Sequence, residues 1–250
     1  MLSRQILRVL GLLLFVSMLT AVGNAATCSN ASLKGLYGAW LTGYDEPGLY
    51  LQGVAQLNFN GKGSFTGTET RSDDGTIEDN MAITGTYAIS ANCTGSGTII
   101  DQNGHQSHYN FVVDPVAKHL EMVVADSGHG TGSGEADALG TATCSLSSVK
   151  GSYGFHGGGY IVGTGVWQFG GQYVLDGAGG VSGTETSVVA GVPSTASVNG
   201  TYTVASGCTG TITVSSSAPY NLNIVFIQGA KAFFAVETDS AYVGTLVAHQ

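Results

Sequence analysis

Leu33-Lys34-Gly35-Leu36-Tyr37-Gly38 returns further along the chain as Val149-Lys150-Gly151-Ser152-Tyr153-Gly154. The echo continues outward in the same order. Gly67-Thr68-Glu69-Thr70 is matched by Gly183-Thr184-Glu185-Thr186, and Gly85-Thr86-Tyr87 with Cys93-Thr94-Gly95 by Gly200-Thr201-Tyr202 with Cys208-Thr209-Gly210. Preserved order and spacing mean that one domain has been duplicated. What both copies keep is expected to serve the fold.

Each copy reads as short alternating runs separated by Gly, Asn and Asp, rich in the Val, Ile, Thr and Tyr that pleated strands favour. Strands are expected at 34–43, 50–59, 63–72, 80–90, 94–101, 107–114, 118–126 and 130–138. The second copy repeats them at 150–161, 166–175, 179–188, 195–206, 208–215, 219–228, 230–238 and 241–248. Asn60-Gly61-Lys62-Gly63 and Asp176-Gly177-Ala178-Gly179 supply the positive-φ residues of tight hairpins. No segment carries a capped 3.6-residue apolar period, so helix should be scarce. A meander of about eight strands tends to close on itself, which leaves no edge unpaired. The expected fold is therefore all-β: two tandem antiparallel up-and-down β-barrels, with β-sandwiches as the alternative. The expected boundaries are a signal peptide at 1–25, domain 1 at 26–138, a linker at 139–143 and domain 2 at 144–250.

Gly35-x-Tyr37 and Gly151-x-Tyr153 on the first strand of each copy resemble the Gly-x-Trp opening of the lipocalins, with Tyr for Trp. That calycin-like resemblance implies a barrel with a ligand calyx open at one end. The chain lacks the other lipocalin motifs, and its copies are short. The Leu-Lys-Gly-x-Tyr-Gly opening, the Gly-rich hairpin and the Gly-Thr-Tyr…Cys-Thr-Gly segment are also similar to a group of secreted bacterial tandem-domain β proteins of unassigned activity. That likeness implies fold and export.

Arg4 and Arg8 precede an apolar run from Val9 to Val22, followed by Gly23-Asn24-Ala25-Ala26. This is the pattern of a secretory signal cut after Ala25, and no later stretch is apolar enough for a membrane helix. The expected location is secreted, periplasmic or cell-surface. The four cysteines fall two per copy, and an exported chain is expected to oxidise them. A domain that arose once must have closed its own bridge, which gives Cys28–Cys93 and Cys144–Cys208. Paired C-x-x-C or close Cys/His spacing for zinc is absent.

The charge is −9, with 17 acids against 8 Lys and Arg. The excess of acids disfavours nucleic acid and anionic lipid, both of which need clustered bases. Residues 26–143 hold 13 of the acids. Among them Glu69, with its counterpart Glu185, shares a strand face with Phe65 (Val181 in the second copy), so each barrel is expected to carry one inward glutamate. Such a carboxylate could orient a polar ligand or act as a base. Tyr37 and Tyr153, with Tyr44/Tyr160 and Tyr87/Tyr202, are expected either to line a binding site or to be core aromatics whose hydroxyls reach turns. Asp73, Asp74, Glu78 and Asp79 crowd one hairpin, a solvated acidic turn or a calcium site. His105 and His108 fall on opposite strand faces, and His119 and His129 have no counterparts. Phe155-His156-Gly157-Gly158-Gly159 resembles a lipase oxyanion loop, but no G-x-S-x-G elbow accompanies it. No cofactor and no metal site are expected. These features favour a secreted binding protein without catalytic groups, its partner a small apolar molecule, a glycan or a protein. The alternatives are a structural cell-surface protein with solid barrels and an isomerase of the allene-oxide-cyclase barrel type. An outer-membrane barrel is disfavoured by the disulfides within each copy.

Overall fold

The computed structural model describes residues 27–45, 49–116, 118–127, 130–140, 143–215 and 219–250. The expected signal peptide, His129 and the middle of the expected linker lie outside them. A single 3-10 turn, Asn30–Ser32, leads into the first barrel. Its strands are β1 (Lys34–Asp45), β2 (Leu49–Asn60), β3 (Ser64–Asp73), β4 (Thr76–Ile89), β5 (Thr94–Asp101), β6 (Gln106–Asp114), β7 (His119–Val124) and β8 (Thr131–Ala138). The second barrel comprises β9 (Gly151–Ile161), β10 (Gly165–Leu175), β11 (Gly180–Val189), β12 (Val192–Val204), β13 (Thr209–Val214), β14 (Tyr220–Ile227), β15 (Ala232–Glu237) and β16 (Tyr242–His249). Each strand pairs antiparallel with its sequence neighbour, and β1–β8 and β16–β9 close the two barrels. The tandem-barrel expectation holds, and the sandwich alternative falls away.

Alternation dictates what lies inside. In the first barrel Tyr37, Leu57, Phe65, Ile83, Phe111, Leu120 and Ala136 face one another in the core. Cys28–Cys93 and Cys144–Cys208 tie each barrel's lead-in segment to the turn before β5 or β13, as duplication required. Duplicated hairpins share their geometry: Gly61 and Gly63 have φ of 75° and 104°, Gly177 and Gly179 83° and 107°. Only glycine adopts such values without strain.

The strand expected from residue 80 begins at Thr76, and the cause is a β-bulge. Between Glu69 and Arg71 the β3–β4 register shifts, with Asn80 at φ 52°, so that Arg71 pairs with Glu78 beyond the bulge. That pairing extends the hairpin through the acidic turn.

Alternation fails in β14–β16, where β15 is buried at every position. Strands buried on both faces need a second apolar layer. The inward residues Leu222, Phe233, Ala235 and Leu246 fill barrel 2. The outward residues Val225, Ile227, Phe234 and Val236 are buried as well, against the outer wall of β1–β3. Each such side chain removed from water contributes roughly 1.5–3 kcal/mol. Close approach is possible because Gly38 on β1 has no side chain: a Cβ there would lie 2.5 Å from Ile227 Cγ2 and 2.8 Å from Val225 Cγ1. Polar bonds frame the contact. Asn223 Nδ2 donates to Asp79 Oδ1 at 2.6 Å and to Thr70 Oγ1 at 3.1 Å. The Thr245 hydroxyl donates to Gln52 Oε1, and the backbone N–H groups of Gln228 and Gly229 donate to the carbonyls of Ala138 and Leu139. Tyr50 and Tyr160 stack across the junction at 4.5 Å. Each barrel keeps its own apolar interior, and the core of the second extends across the junction to take in Val54 and Leu139 from the first half.

Candidate functional site

Glu69 and Glu185 both point inward, at equivalent places on β3 and β11, yet their surroundings have diverged. In the first barrel the next inward residue is Arg71, which forms an ion pair with Glu78 and reaches Asp101 at 3.5 Å. Asp101 in turn accepts from the backbone of Asn103 and His105 and meets His105 Nδ1 at 3.0 Å. Burial raises the pKa of Glu69, with Arg71 opposing it. In the second barrel the place of Arg71 is taken by Ser187. Glu185 instead accepts from the Tyr220 hydroxyl at 2.5 Å, and Tyr220 lies 2.6 Å from the Tyr173 hydroxyl. Burial raises the pKa of Glu185, and the Tyr220 bond pulls it back.

Sequence reasoning missed the most isolated acid. Glu237 follows Phe233 and Ala235 at strand spacing, so it also points into barrel 2. It is fully buried, and neither carboxyl oxygen has a hydrogen-bond partner. Burial, then the charges of Asp239 and Glu185, hold its pKa well above the ordinary carboxylate value. Gly244 leaves room beside it: a Cβ there would sit 3.3 Å from both Glu237 Cγ and Trp167 Cζ2, and the Trp167 Nε1–H is also unpartnered.

Of the recurring tyrosines, Tyr37, Tyr87, Tyr153 and Tyr202 are core residues, the hydroxyls of the last three reaching turns, whereas Tyr44 is exposed and Tyr160 half-buried. Tyr153 donates to the carbonyls of Val149 and Ala230, and Tyr87 to those of Asn30 and Leu33. Tyr37 packs edge-on against Phe59. Both Tyr37 and Tyr153 are buried, with burial raising both pKa values, that of Tyr153 to about 12. Of the acidic hairpin, Glu78 is engaged by Arg71 and Asp79 by the second barrel. His105 and His108 face separate acids, Asp101 and Asp126. The glycines of the His156 segment are packing residues: Trp167 and Phe169 lie opposite Gly159 and Gly157, where a Cβ would collide with the neighbouring strand.

Space is distributed unevenly. Two cavities in the first barrel, one lined by Glu69, Tyr109 and Met122 and the other by Phe59, Tyr87 and Phe111, measure about 40 Å³ each. No roomy calyx of the kind the lipocalin resemblance implies is found among the described residues. A groove of about 770 Å³ runs instead between the barrels, lined by Trp40, Tyr44 and Tyr50 from one and His156, Gly158 and Gln168 from the other. A shallower depression of about 680 Å³ lies over β4–β7, beside Val112 and Val123. The groove could not be read from either copy alone, because each half supplies one wall.

No protein-family model matches the chain, and no curated protein does. Solved structures that are similar at low identity include the following two. Isotype 1 transferrin binding protein B of serogroup B Neisseria meningitidis aligns at 9% identity and a TM-score of 0.36, over 88% of this chain and 75% of the other. Kievitone hydratase from Nectria haematococca aligns at 10% identity and a TM-score of 0.28, over 87% of this chain and 89% of the other. Both likenesses are distant.

Glu69 borders a cavity of only about 40 Å³, whereas a groove of about 770 Å³ is shared between the barrels. One more cluster, His119 with Glu121 and Glu135, stands on the outer wall of the first barrel.

Proposed function

We propose that the chain is an extracytoplasmic binding protein whose fused barrels act as a rigid scaffold, and that it recognises a neutral glycan in the inter-barrel groove. The observation that carries this reading is the contrast between interior cavities of about 40 Å³ and a groove of about 770 Å³. Pockets that hold small molecules measure about 300–1,000 Å³. The groove's chemistry supports the ligand class. Tyr44, 46% exposed, offers an aromatic face, while Thr42, Thr131, Ser133 and Gln168 offer uncharged donors and acceptors. A sugar ring presents the complement, an apolar C–H face edged by hydroxyls. Formed disulfides in both halves fit an oxidising compartment.

A glycan-array screen followed by calorimetry tests the reading. Tyr44→Ala should lower affinity for the captured glycan about tenfold, the equivalent of about 1.4 kcal/mol, without changing the thermal midpoint. Absence of any glycan binding would favour the second reading, a structural surface protein, which the filled barrel interiors support.

A further inference from the structure

We propose that His119, Glu121 and Glu135 form a site for a divalent transition-metal cation, with zinc as the reference ion, on the outer wall of the first barrel. His119 and Glu121 are two residues apart on β7 and therefore share its outward face. On β8, Glu135 is the direct cross-strand partner of Glu121, and Asp137 that of His119. The ligand atoms of His119, Glu121 and Glu135 all lie within 4.8 Å of one another, and His119 Nε2 is 3.1 Å from Glu121 Oε1. Two ligands bound at about 2.0–2.2 Å to a tetrahedral zinc lie roughly 3.3–3.6 Å apart, so small rotamer adjustments complete the geometry.

The imidazole is set up as a ligand. His119 Nδ1 is 3.1 Å from Asp137 Oδ1, and buried Asp137 is itself held through Oδ2 by Gln228 of the second barrel at 3.3 Å. A carboxylate only accepts, so in the neutral ring the proton sits on Nδ1 and the Nε2 lone pair faces the two glutamates. This is the carboxylate–histidine arrangement that orients metal-binding imidazoles. Left empty, it sets a lone pair against carboxylates and two like charges directly opposite each other, which is destabilising. Among the described residues no lysine or arginine pairs with these carboxylates. A divalent cation answers both. An imidazole in the set selects transition metals over Ca²⁺ and Mg²⁺, which prefer oxygen alone.

The test is calorimetric titration of the untagged, EDTA-stripped full chain with Zn²⁺ and, separately, Ca²⁺. One Zn²⁺ should bind per chain, and Ca²⁺ should give no heat. His119→Ala and the isosteric Glu135→Gln should each weaken Zn²⁺ binding at least about tenfold, and Asp137→Asn by about 10–100-fold. His105→Ala should leave it unchanged. Circular dichroism in EDTA confirms that each variant is folded. No Zn²⁺ binding by the wild type, or equal binding by His119→Ala and Glu135→Gln, overturns the proposal.

Discussion

Replacing Glu237 with Met should stabilise the protein, and by an amount that grows with pH. The carboxyl is fully buried in barrel 2 with both oxygens unpartnered. A buried polar group without a hydrogen bond costs about 1–3 kcal/mol on the scale of protein mutational data, and an unbranched thioether of similar length removes that cost. The pH dependence has a definite sign. Burial, Asp239 and Glu185 raise the folded-state pKa, so above the ordinary glutamate value the unfolded chain releases a proton that the folded chain retains. Stability from this group is therefore complete below the unfolded pKa and declines by about 1.4 kcal/mol per pH unit as pH climbs towards the folded one. Glu69 and Glu185, also raised, add slopes of the same sign in both proteins. The difference between wild type and Glu237→Met isolates the one residue. Urea denaturation at intervals from pH 4 to pH 8, with disulfides intact, should give a variant more stable at every pH and a gap that widens upward. A gap that stays constant with pH, or a less stable variant, would show that a partner holds the carboxyl and would refute the reasoning.

Two further outcomes are expected. Gly38→Val should cost about 1–3 kcal/mol by overpacking the inter-barrel contact, whereas Gly154→Val, its counterpart with open space around the Cβ position, should be near neutral by the same denaturation assay; equal effects would dismiss the docking geometry. Tyr220→Phe should destabilise by about 1.5–3 kcal/mol, the range for a hydrogen bond to a charged group, and should raise the Glu185 pKa further, read by carboxyl NMR titration, since Tyr220 is the group that lowers it.

Strand order, closure and sulfur pairing were legible because they follow from periodicity and repetition. Glu69, Glu185 and the tyrosine positions could be placed on a strand face by counting in twos. The docking of the barrels required a different signal, the loss of alternation in Ala232-Phe233-Phe234-Ala235-Val236, where continuous apolar residues mean burial on both faces. The same run, counted in twos from Phe233, would have put Glu237 inside. His119-x-Glu121 was also readable as one face, but Glu135 joins it through a β7–β8 register that no local pattern specifies. The groove depends on how two domains sit together, and strand patterns carry no information about that.

The duplication also explains why matching the copies did not reveal a shared site. The first barrel docks with the outer wall of β1–β3 and the second with that of β14–β16, so the copies meet head to tail rather than through equivalent patches. A heterologous contact of this kind would propagate if each copy kept both complementary faces. The two undocked faces differ from the docked ones. Glu121 and Glu135 face each other on β7 and β8, whereas the equivalent cross-strand pair of the second barrel is buried Phe234 and Val247. At the other end, β9–β11 present His156, Gln168 and Gln172 outward. The first barrel thus carries two carboxylates, beside His119, where the sister barrel has an apolar pair. Introducing the sister barrel's apolar pair, Glu121→Phe with Glu135→Val, should abolish Zn²⁺ binding and promote self-association together, readable by calorimetry and sedimentation on a single variant.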